Sequence, residues 1–199
     1  MAATIEWRTQ NEIEHTHKTN AILATQHAAS CLAHVEALLK TIPEALVFIL
    51  VRNPLTTLAQ WSDSPALKNA GLLETDRLAG VHAPNLAEHR RQQLAELQKL
   101  NEPMMRRAGL WNYFAGLADT HDERIQIIRY EDVLEHPAVV LAHLGATLFA
   151  GQELALPNVD AHFQKKEDGT ATLTEQEREC LRAACSYNAG AFDYDLYAD

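Results

Sequence analysis

Arg52 closes the apolar run Ala45–Val51 and is followed at once by Asn53 and Pro54. A guanidinium is a permanently charged planar fork whose donors suit a phosphate. Pro54 fits the first position of a helix, so the backbone N–H groups of residues 55–57 would face an anion held beside Arg52. Thr56 and Thr57 add hydroxyl donors, and the set predicts a small anion site. The plainer alternative is an arginine paired with a carboxylate at a strand end. A second group is Arg129-Tyr130-Glu131-Asp132. Strand-end acids of this kind cap the next helix and brace neighbouring loops, with direct catalysis by Glu131 or Asp132 as the sharper reading. The third group, His15-Thr16-His17-Lys18, offers a general base and an anion contact. No acidic or cysteine ligands follow the two histidines at metal-site spacing, so no metal is expected.

These residues need elements to hold them. Residues 21–41, with Asn20 as N-cap, place Ile22, Leu32, Val35, Leu38, Leu39 and Ile42 near one face of a helix that Pro43 stops. The run to Val51 is apolar at every position and rich in β-formers, which predicts a strand buried on both faces of a sheet. Arg124–Arg129 predicts a second strand, and Pro137 opens a helix through Phe149. Thr174 and Glu177 form a capping-box signature for a helix through about Ser186. Strands separated by long helices pair in parallel, because a parallel return needs a crossover. Between them, residues 86–102 are polar and helix-forming up to Pro103, and 104–118 resume a helix with Leu110, Trp111, Phe114 and Leu117. Asp63–Pro84 is either a substrate lid or a surface excursion, and the whole of 63–118 is expected as a helical insertion. The expected architecture is a single α/β domain over 1–199 with a short, mostly parallel sheet.

Composition narrows the function. Hydrophobic residues at 47% and charged residues at 22% belong to a globular chain with a sizeable core. A net charge of −10 argues against nucleic-acid binding, which draws on phosphate neutralisation, while leaving room for a few cations in one cleft. No window reaches the roughly 18 apolar residues of a membrane helix, and the N-terminus has no signal-peptide pattern. Cys31, Cys180 and Cys185, an odd count without a CxxC pair, suggest reduced thiols and a cytoplasmic protein. No GxSxG, HExxH, GxGxxG or GxxxxGK[ST] occurs.

In order along the chain, several segments resemble sulfotransferases that use 3′-phosphoadenosine 5′-phosphosulfate (PAPS). Phe48 to Pro54 is similar to that family's strand and RNP turn, and Arg124 to Val133 with His136-Pro137 to its RYED strand and helix. Trp111 and Tyr113 are similar to its Trp-bearing helix, Lys18-Thr19 to its lysine-bearing segment, and Leu173 to Tyr194 to its C-terminal helix and aromatic tail. The resemblance implies a P-loop-like sulfotransferase fold. Arg52 would hold the nucleotide 3′-phosphate, helped by Thr56, by Gln60 where the family has serine, and by Lys165 and Lys166 near Gly169. His17 would be the base, with Lys18 near the reacting centre. The family's front strand and 5′-phosphosulfate loop have no counterpart before His15, so the first strand is expected to be missing or replaced. Its neighbour's edge would then be covered by the N-terminal segment or by a second chain, as in a homodimer. The implied activity is sulfuryl transfer from PAPS to a hydroxyl or amine of a small acceptor. The alternative is a catalytically degenerate binding or assembly module on the same scaffold, and an unrelated α/β protein with coincidental turns is the third reading.

Overall fold

The computed structural model describes residues 29–63, 86–119, 122–149 and 173–197. Across them the chain is mixed α/β, mostly helical, with one short parallel sheet of two strands. Strand β1 (Val47–Val51) pairs with β2 (Ile125–Arg129) in a register running from Val47 opposite Ile125 to Val51 opposite Arg129. The path between them passes through α2 (Pro54–Asp63), α3 (Glu88–Lys99) and α4 (Pro103–Ala118). A short helix α1 (Val35–Thr41) precedes β1, while α5 (Tyr130–Glu135), α6 (Pro137–Leu148) and α7 (Glu175–Gly190) follow β2.

The helix expected over 21–41 is described only from Ala29. There Ala29–His34 winds as a 3₁₀ helix before α1 begins. Leu39 is buried, but Leu38 and Ile42 are 41% and 48% exposed. Consecutive helical residues sit about 100° apart, and of this pair Leu39 is the one that faces the core. The β1 expectation also needs correction. Ile49 and Val51 are buried in the main core, whereas Leu50 between them is 57% exposed. Alternate strand residues face opposite ways, and the main core lies on the face that carries Ile49 and Val51. On the other face, Gln126 of β2 meets His143 of α6, with Oε1 and Nε2 3.1 Å apart. Arg124 fastens the start of the sheet. Its carbonyl accepts from the Val47 N–H (2.9 Å), and its guanidinium donates to Leu39 O (2.9 Å) and Asp122 Oδ2 (2.7 Å).

The core is built around α4. Met104, Ala108, Trp111, Ala115 and Ala118 recur at three- and four-residue steps and join Leu181, Cys185 and Ala189 of α7 in one buried cluster. Asn112 adds a polar tie, its Nδ2 donating to Ala184 O at 2.8 Å. Leu110 and Tyr113, on the other side of α4, form a second cluster with Leu86 and with Leu94 of α3. Fully burying a side chain such as Leu58 or Leu181 contributes roughly 1.5–3 kcal/mol. Residues 103–118 are therefore the centre of the packing. The segment Asp63–Pro84, expected as a lid or a surface excursion, lies beyond Asp63 outside the described residues.

Both ends of α7 follow local rules. Thr174 Oγ1 accepts from the Glu177 N–H, and the Glu177 side chain accepts from the Thr174 N–H, which completes the expected capping box. The Thr174 N–H, and then the Thr174 hydroxyl, donate to the Glu177 carboxylate and hold it below the usual range. At the other end the Tyr194 N–H donates to Ala189 O and the Asp193 N–H to Gly190 O, each at 3.1 Å. With Asp193 at φ 59°, this is a Schellman turn that sends the tail back across the molecule.

Candidate functional site

The two parallel strands end together, and the turns beyond them meet at the carboxyl edge. Arg52 leaves β1, and its Nη1 donates to Gln60 Oε1 of α2 at 2.6 Å. Its guanidinium lies over the Tyr130 ring, 4.7 Å from the centroid, at the start of α5. A flat guanidinium on an aromatic face is a favourable and geometrically defined pairing. The Arg52 carbonyl accepts from the Trp111 indole N–H at 3.2 Å, so α4 grips the same turn from the core side. An amide and an aromatic ring are thus among the side-chain partners of the guanidinium.

Asn53 organises the start of α2. Its Oδ1 accepts from the Leu55 N–H (2.8 Å), and its carbonyl accepts from the Thr57 N–H (3.0 Å). The hydroxyls of Thr56 and Thr57 also donate to that carbonyl, at 3.0 and 2.9 Å. Pro54 has no N–H to offer. The helix start is therefore largely capped from within, and both threonine hydroxyls turn back onto the chain.

The carboxylate at this edge is Glu131, and it works as a brace. Its Oε1 accepts from the Asn53 N–H at 3.0 Å, while its Oε2 lies 2.6 Å from the Tyr194 hydroxyl. Tyr194 also reaches Val51 O at 3.0 Å. The Arg129 guanidinium stands over the Tyr194 ring at 4.7 Å, its Nη1 donating to Asp193 O at 3.4 Å and its Nε 3.9 Å from Asp132. Burial first, and then the bond to Glu131 and its charge, push the Tyr194 phenol well above its usual range. The phenol therefore stays protonated as a donor at neutral pH.

No protein-family model, curated protein or solved structure matches the chain.

Of the site residues expected from sequence, Arg52, Thr56 and Gln60 share this edge, and Arg52 and Gln60 touch. His17, Lys18, Lys165 and Lys166 lie outside the described residues, as does His15. Sequence reasoning misses the role of Tyr194. An aromatic residue in a polar C-terminal tail is the available signal, but nothing local says which buried carbonyl such a phenol will reach. The Asn53 cap is legible in principle, since asparagine before a helix-starting proline is a strong N-cap.

Proposed function

We propose that the chain is a sulfotransferase-like protein of P-loop-like fold that binds a 3′-phosphoadenosine nucleotide at the carboxyl edge of the sheet. It would transfer the sulfuryl group of PAPS to a hydroxyl or amine of a small acceptor. The observation that carries this reading is the position of Arg52, at the carboxyl end of a parallel strand, beside the first turn of α2 and stacked on Tyr130. Ligands of open α/β sheets gather at that edge. A guanidinium carries its N–H donors in a planar fork that matches phosphate oxygens. In this reading Arg52, with Thr56 and Gln60, takes the 3′-phosphate, and Lys165 and Lys166 add charge. The acceptor heteroatom attacks sulfur as the sulfur–oxygen bond to the nucleotide 5′-phosphate breaks. His17 takes the acceptor proton, and Lys18 offsets charge on the departing phosphate.

A second reading is favoured by a specific observation. The Leu55 N–H and the hydroxyls of Thr56 and Thr57 all bond to Asn53, so much of the helix start is satisfied without an anion. That self-capping suits a degenerate scaffold that binds or assembles without turnover. Calorimetry with 3′-phosphoadenosine 5′-phosphate, on wild type and Arg52→Ala, separates the two. Micromolar binding lost in the variant supports the nucleotide site, and a sulfuryl-transfer assay then decides turnover. No heat and no thermal shift at millimolar ligand leave the scaffold reading.

A further inference from the structure

We propose that the C-terminal tail sets the geometry of the Arg52 turn, with Tyr194 and Glu131 acting as positioning residues for an anionic ligand held there. The inference rests on the nucleotide reading for its affinity measurement only. Three consecutive backbone positions around Arg52 are held by side chains from distant parts of the chain. Val51 O meets Tyr194, Arg52 O meets Trp111, and the Asn53 N–H meets Glu131. Trp111 and Tyr194 are both buried in the main core, and Tyr194 with Glu131 forms a clasp that joins the tail to the ends of both strands. Tyr194 arrives because the left-handed Asp193 reverses the chain after α7, and Arg129 backs its ring.

The clasp acts on Arg52 without touching its guanidinium. Glu131 holds the peptide that follows Arg52, and Tyr130, the ring beneath the guanidinium, is the residue before Glu131. Releasing the carboxylate thus loosens the Arg52 backbone and its stacking platform together. A phenol carries one proton, while Val51 O and Glu131 Oε2 both lie within reach of it. At any instant Tyr194 serves one acceptor fully, and a side chain at 131 that can itself donate to the phenol relieves that competition. Glu131→Gln keeps an acceptor for the Asn53 N–H and gains such a donor. Glu131→Ala keeps neither.

The test uses the full chain and 3′-phosphoadenosine 5′-phosphate as probe, with calorimetric affinity beside hydrogen exchange at the Asn53 amide. Tyr194→Phe and Glu131→Ala are expected to weaken binding about tenfold and to speed Asn53 exchange about tenfold, in protein that still melts cooperatively. Glu131→Gln is expected to restore both towards wild type. Tyr187→Phe, at a side chain 92% exposed on α7, is expected to change neither. Wild-type affinity in both Tyr194→Phe and Glu131→Ala overturns the proposal, as does unchanged Asn53 exchange. Should wild type itself not bind the probe, the nucleotide reading fails. The positioning role is then judged on Asn53 exchange and on the Trp111 indole N–H resonance, where no change in Tyr194→Phe overturns it.

Discussion

Arg52 sits among groups that constrain it from several directions, and each has a separable cost. The indole N–H of Trp111 bonds to the Arg52 carbonyl. Trp111→Phe keeps most of the buried ring while removing that donor, and is expected to cost about 1–2 kcal/mol by urea unfolding. At the proposed nucleotide site, a large loss of affinity with little loss of stability would show that the indole aims the turn more than it holds the fold. Tyr194 makes a pH prediction whose sign comes from the raised phenol. A group whose folded pKa lies above its unfolded value contributes fully below the unfolded value, about 10 for tyrosine. The contribution is lost as pH rises from there through the folded value. Tyr113, raised by its own burial, has the same sign. Stability is thus expected to fall as pH rises above about 10, and Tyr194→Phe to flatten part of that slope in denaturant titrations.

Among the elements, the approach of α3 to α4 depends on a missing side chain. A Cβ at Gly109 would collide with Leu97 Cδ2, and one at Gly116 would lie 2.7 Å from Arg90 Nη1, which caps the end of α4 by bonding Gly116 O with its Nη2. Gly109→Ala gains helix propensity of up to about 1 kcal/mol but overpacks this contact at a cost of about 1–3 kcal/mol. A net destabilisation is expected, and it should shrink when Leu97→Ala is added, giving a coupling visible in a double-mutant cycle. At α7, Thr174→Ala removes the N-cap and is expected to cost about 1 kcal/mol. Glu177 is held low by the same cap, so that contribution is present above the ordinary carboxylate range and fades as pH falls through the folded value. A melting-temperature difference between wild type and Thr174→Ala that shrinks as pH falls below the ordinary carboxylate range would bear this out.

Across the whole molecule, the packing of α4 on α7 buries Cys185, and burial pushes its thiol up to about 12. A thiol that is both enclosed and protonated does not react with disulfide reagents at neutral pH. Peptide mapping after labelling is expected to find Cys185 unmodified in the native chain and modified once denaturant unfolds it. Prompt labelling without denaturant would mean that α4 and α7 separate far more readily than their shared core implies. Among the described residues no helix is long and apolar enough to cross a membrane.

Much of the architecture is written in local pattern. The apolar, β-forming run at Val47–Val51, the strand at Ile125–Arg129, the proline starts of α4 and α6 and the Thr174 capping box are consequences of steric preference and hydrogen bonding over a few residues. They can be read without knowing what lies across the core. The parallel pairing comes from the length of chain between the strands. Other features depend on partners distant in sequence. Whether Leu50 is covered, how central 103–118 is to the core, and what Arg52 touches are settled by which elements pack together. Tyr194 is the clearest case: its partners are Val51 and Glu131, and Val51 lies on a strand more than a hundred residues earlier in the chain. The physical reason is the same throughout. Propensity and capping are short-range and visible in a window of sequence, whereas burial and the partner of a buried polar group are set by the whole assembly of elements, which tertiary structure alone decides.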